Sequence, residues 1–167
     1  MPLNSLEDLY WESLRDMYNA ENQIVKALPK MIDKCESRDL KQAFEKHLKV
    51  TENQVSRLEQ LFKNAGQKAT GKVCKGMQGL IEEAEEHISE RSNPNVRDAM
   101  LISMAQRVEH YEMAGYGCCR TWASQFGWDD QAKVLQGILD EEGDANETLT
   151  RIAEQQGVNV EAIKKAA

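Results

Sequence analysis

Five side chains able to bind a cation occupy positions where a buried helical stripe would ordinarily carry aliphatic residues. Glu21 follows Met17 by four and precedes Ile24 by three, so it points along the same face as both. Ile102, Ala105, Glu109, Glu112, Tyr116 and Cys119 share one face of a later segment, which sets two carboxylates one turn apart. Glu142 follows Ile138 by four and precedes Ala145 by three, and His47 lies between Phe44 and Thr51. A carboxylate buried alone is expensive, and several facing one another either take up protons or bind something positive. Carboxylate oxygen mixed with imidazole suits iron or manganese, with zinc a third option. The competing arrangement, a charge-neutral ion-pair core, needs an inward cation, for which Lys26 and Arg107 are the candidates. Tyr116, one turn beyond Glu112, reads as packing that can also hydrogen-bond a ligand. His87 and His110 fall off the inward faces.

These residues need long helices to carry them. The chain has 167 residues, 41% apolar, with three Pro and ten Gly, which favours helix and excludes collagenous or low-complexity polymers. One domain spanning residues 1–167 is expected. The formal charge of -7 repels phosphate backbones and anionic lipid, which argues against nucleic-acid and membrane partners. The first residues carry neither a basic flank nor an apolar run, so a cytoplasmic protein is expected. Cys35, Cys74, Cys118 and Cys119, set in helical sequence without a CxxC pair, read as reduced core thiols. Redox chemistry at the vicinal pair is a minor alternative, because neighbours on a helix point about 100° apart.

Ser5 with Asp8 three residues later predicts a helix start, and the stripe Leu6, Leu9, Leu14, Met17, Ile24, Leu28, Met31 carries that helix to about Cys35. Pro29 predicts a kink near Val25 to Pro29 rather than two helices. A second helix runs from a Ser37 cap to Asn64-Ala65-Gly66, followed by a loop over 66–76 and a shorter helix from Met77 to Ile88. The run Glu82, Glu83, Glu85, Glu86 on that helix reads as a solvated face. Ser92-Asn93-Pro94-Asn95 is a break, with Asn95 the expected cap of a helix from Val96 to Phe126 whose faces are nearly all apolar or small. Gly127 closes it. Trp128 before Asp129 and Asp130 reads as a staple and cap for a fourth long helix ending at Gly157, and VNVEAIKKAA adds one short turn or helix. The fold class is therefore all-α: a four-helix bundle with one long crossover carrying an extra short helix, the second and third long helices running parallel.

The segments YNAENQIVKALPKM, AFEKHLKVTENQVSRLE, GLIEEAEEHI, VRDAMLISMAQRVEHYEMAGYG and LDEEGDANETLTRIA resemble the YciF/YciE family of bacterial stress-induced ferritin-like proteins over nearly the whole chain. The resemblance implies a ferritin-like bundle similar to rubrerythrin, a homodimer, a di-metal centre and no established reaction. It places Glu21, Glu109, Glu112 and Glu142 on the family's inward acidic positions and His47 on the histidine of its HLxET segment. Departures accompany the match: Val50 stands where relatives tend to carry Glu, Gln54 where some carry His, and Asn146 at an acidic position. Losing the second-helix carboxylate removes a bridging ligand and lowers affinity. The first functional expectation is accordingly a stress protein with an iron or manganese site, its chemistry redox such as ferrous oxidation by oxygen or peroxide. The second is a metal-free helical dimer acting through protein contacts. Metal binding ranks above enzymatic activity, which stays open.

Overall fold

A computed structural model describes residues 3–89 and 93–164. In chain order the helices are α1 (Leu6–Lys34), α2 (Arg38–Asn64), α3 (Lys75–Ser89), α4 (Pro94–Gln125), α5 (Asp129–Glu154) and α6 (Val158–Ile163). The expected starts of α1 and α2 are present. Ser5 Oγ accepts from the Asp8 amide at 3.0 Å, and Ser37 Oγ from the Leu40 amide at 3.3 Å, each satisfying one amide left free at a helix start. α1 runs unbroken through Pro29. The cap of α4 is Asn93, whose Oδ1 accepts from the Asn95 amide at 2.9 Å, so Asn95 belongs to the helix instead of capping it. Pro94 opens that helix because its missing N–H falls where no intrahelical partner exists. Ser92 of the expected break and residues 165–167 of the tail lie outside the described residues.

Gly127, at φ +73°, turns the chain between α4 and α5 in the left-handed conformation that side chains disfavour. Trp128 makes no capping bond; its ring packs 4.6 Å from Phe126 and 5.4 Å from Tyr10 between centroids, which fixes the approach of α5. Two of the cysteines sit differently from expectation: Cys35 follows the end of α1, and Cys74 precedes α3. All four thiols are free, with Cys118 exposed and Cys119 buried.

Two apolar clusters form the core. One gathers Ile24, Leu28, Leu40, Phe44, Leu101, Ile102, Leu149 and Ile152, and the other Trp11, Leu14, Met17, Leu58, Phe62, Tyr116, Leu135 and Ile138. Each long helix contributes to both. Because α2 and α4 pass from the first cluster to the second while α1 and α5 pass from the second to the first, α2 and α4 are parallel, as the long crossover requires. α4 packs on α1, α3, α5 and α6, which explains why its apolar residues are not confined to one stripe. The acidic residues of α3 are exposed, with Glu85 paired to Lys30 and Glu83 to Arg107. Buried polar groups lock the connections. Arg15 donates to the Lys68 carbonyl at 2.9 Å, and Asp98 accepts the Glu36 and Ser37 amides at 3.0 and 2.5 Å, holding the α1–α2 turn against α4. Among the described residues no helix is long and apolar enough to cross a membrane.

Candidate metal centre

The layer between the two apolar clusters is polar, and the five residues expected to point inward all reach it. Glu21 comes from α1, His47 from α2, Glu109 and Glu112 from α4, and Glu142 from α5. Glu21 and Glu142 are 0% exposed, Glu112 1% and Glu109 2%, and the His47 side chain is 11% exposed. Each interrupts a stripe at the level where its helix changes clusters, so four separate sequence patterns meet at one height.

Among the described residues two trios bring their ligand atoms within 4.8 Å of one another: His47, Glu109 and Glu142, and Glu21, Glu112 and Glu142. Glu142 is common to both. His47 Nε2 stands 3.4 Å from Glu109 Oε1. Tyr116 donates its hydroxyl proton to Glu21 Oε1, and Gln54 Nε2 donates to Glu142 Oε1 and, at 3.1 Å, to Glu141 Oε2. Arg57 in turn pairs with Glu141. Each of the four carboxylates keeps one oxygen in hand: Glu21 Oε2, Glu142 Oε2, Glu109 Oε2 and Glu112 Oε1 are buried without a hydrogen-bond partner, and so is Gln54 Oε1. Buried acceptors without donors are rare, because each forfeits hydration with nothing in return.

Electrostatics follows from the crowding. Burial, with the charge of Glu142 behind it, pushes the Glu21 carboxyl well above the usual carboxylate range, against the lowering effect of the Tyr116 hydroxyl. Burial likewise raises Glu109, helped by the adjacent Glu142 carboxyl, and raises Glu112, helped by the charge of Glu21. Burial depresses His47, so its imidazole is neutral and offers a lone pair near neutral pH. The Tyr116 hydroxyl is held protonated by burial and by neighbouring carboxylates. Without a cation, then, protons occupy the layer. The donor set suits an oxygen-seeking divalent ion: orphaned oxygens converge with one neutral imidazole, and none of the four thiols belongs to either trio.

Neither cation expected for an ion-pair core enters the layer. Lys26 is exposed and Arg107 pairs with Glu83 on the surface. His110 is exposed and bonds the Gln106 carbonyl at 2.7 Å, and His87 lies on α3; neither joins a trio. Asn146 accepts from Gln106 Nε2 at 3.1 Å in the α4–α5 contact. Gln54, a departure from the family pattern that also lies on the inward α2 stripe between Thr51 and Leu58, is a fully buried member of the layer. Glu141 and Arg57 were missed. Their pairing spans α5 and α2, and no local spacing announces it. Val50 borders a cavity of about 260 Å³ between α2 and α5, whose wall includes His47 and Glu109.

Comparison with known proteins agrees with this architecture. The profile of a domain of unknown function, DUF892, matches residues 5–163. The chain is 40% identical over 167 residues to protein YciF of Escherichia coli K12, covering 99% of this chain and 100% of that one. The crystal structure of the E. coli stress protein YciF superposes with a TM-score of 0.88 at 39% identity, covering 96% of this chain and 99% of that one. YcfI from Rhodopseudomonas palustris, provisionally described as a structural protein, gives 0.86 at 46% identity, covering 89% and 94%. The chain belongs to the DUF892 family, alongside the stress protein YciF.

Proposed function

We propose that this chain is a cytoplasmic stress protein, working as a homodimer, whose bundle core would hold two divalent cations, iron or manganese, with Glu142 common to both ligand sets. The observation that carries the reading is the set of orphaned carboxylate oxygens gathered in one buried layer. Glu21, Glu112 and Glu142 would hold one ion, and His47, Glu109 and Glu142 the other. Four ionised carboxylates and a neutral imidazole balance two divalent charges, so the filled layer is neutral and its burial tolerable. Bound iron would supply redox chemistry toward oxygen or peroxide.

The chain's own groups prepare that site. Tyr116 orients Glu21 by holding one oxygen and leaving the other inward, and Gln54 does the same for Glu142. The protons that burial retains on Glu109 and Glu112 are those released on cation uptake, so affinity rises with pH. Elemental analysis of protein grown with iron or manganese tests the reading. About two ions per chain are expected, falling at least about tenfold in affinity in Glu142→Ala, which removes the shared ligand. Metal below about 0.1 per chain, unchanged by that substitution, overturns it.

The Gln54–Glu142 and Tyr116–Glu21 bonds favour a second reading, because they satisfy part of the layer internally. Under it the protein is a metal-free helical dimer acting through protein contacts, and a chelator leaves its melting temperature unchanged.

A further inference from the structure

The two trios are not equivalent. His47 and Glu109 stand in the wall of the 260 Å³ cavity between α2 and α5, whereas Glu21 and Glu112 do not line it. A trio supplies three donor atoms, while an oxygen-seeking divalent ion commonly takes about six. At the His47–Glu109 trio, space for additional donors adjoins two of the ligands. The rest of the wall is mixed. Ala43, Val50, Ala145 and Leu149 make it aliphatic, and exposed Lys46 and Asp144 bring opposite charges. Val50 follows His47 by three residues on α2, so it flanks the imidazole one turn on. Glu141, also in the wall, has its charge met by Arg57 and Gln54, and the charges of exposed Lys46 and Asp144 offset one another.

The volume narrows the occupant. An apolar cavity of about 150 Å³ is enough for benzene, so 260 Å³ admits a ligand of roughly six to ten heavy atoms. An oxygen-donor head belongs at the His47–Glu109 end, and a short hydrocarbon body belongs against Val50, Ala145 and Leu149. We propose that this cavity binds a short aliphatic carboxylate, whose oxygens complete the coordination of the ion held by His47, Glu109 and Glu142. The inference rests on the metal reading above and extends it to a ligand. A carboxylate suits the place better than a neutral alcohol, because an anionic oxygen is the stronger donor to a divalent ion.

The test uses the full chain loaded with Co(II), whose visible d–d bands report its ligands. Titration with hexanoate should change those bands saturably, with hexanol giving no response. In Val50→Trp, which fills the cavity, hexanoate affinity should fall at least about tenfold with Co(II) stoichiometry retained. Ala145→Phe fills the same space from α5 and decides the matter if the first variant does not fold. Val50→Glu supplies an internal carboxylate and should bind Co(II) without responding to hexanoate. Unchanged bands in Co(II)-loaded wild type, equal responses to hexanol and hexanoate, or wild-type hexanoate affinity in a folded cavity-filled variant each overturn the inference. Failure to bind Co(II) at all overturns the metal reading, and this inference falls with it.

Discussion

A carboxyl group that gives up water for the company of other carboxyl groups keeps its proton, and Glu21, Glu109 and Glu112 are all in that position. The sign of the resulting pH dependence is fixed. Their folded-state values are raised above the ordinary value of 4.5, so the metal-free folded chain binds more protons than the unfolded chain. The stability they contribute is whole below 4.5 and is lost as pH climbs through the raised values. His47 works the other way: depressed from 6.5, it contributes stability that is lost as pH falls below that value. Chelated protein should therefore melt at progressively lower temperature as pH rises above the ordinary carboxylate range, a trend that His47 opposes only below its ordinary value of 6.5. With metal saturating, that slope should flatten or reverse. Calorimetry of both forms across pH checks it, and a chelated protein whose melting point rises with pH above 6.5 would show that the carboxyls are not protonated in the fold.

At the scale of helices, the separation of α1 and α4 decides whether Glu21 can meet Glu112. Gly115 sits between Glu112 and Tyr116, and a Cβ there would come within 2.3 Å of Met17 Sδ. Met17 is 2% exposed and embedded in the core cluster, so it cannot swing into solvent to make room. Glycine thus permits the close approach of the two helices next to the polar layer, at the expense of its poor helix propensity. Gly115→Val should destabilise the protein by about 1–3 kcal/mol through overpacking and weaken metal binding by pushing Glu21 away from Glu112. Urea denaturation and metal titration on one preparation check the two effects. Stability lost without any loss of affinity would mean that helix spacing does not govern the layer.

At the scale of the molecule, the polar layer divides the core and is shared by all four long helices. Ion binding should therefore stabilise the bundle as a unit. At a free metal concentration about one hundred times Kd, the gain is about 2.7 kcal/mol for one site. Hydrogen exchange should slow together in α1, α2, α4 and α5 on loading, while protection confined to one helix pair would place the ion elsewhere.

Most of the bundle was legible because helical periodicity and caps are local. Ser5, Ser37, Gly66, Gly127 and Gly157 punctuate the chain at residues whose chemistry acts within one turn, and the long connection before α4 implied parallel helices. Asn93 displaced Asn95 as a cap because the proline between them is itself a good first helical residue. The inward face of Glu21, His47, Glu109, Glu112 and Glu142 was likewise local information, since spacing along one helix sets which way a side chain points. Only the tertiary structure decided that these faces coincide in height, that Glu142 lies between two trios, and that Gln54, Tyr116, Glu141 and Arg57 complete the surroundings. The reason is geometric. Three or four residues of sequence separation fix a direction, but contacts such as Gln54 to Glu142, 88 residues apart, depend on how helices slide and rotate against one another, which is settled by packing of the whole core.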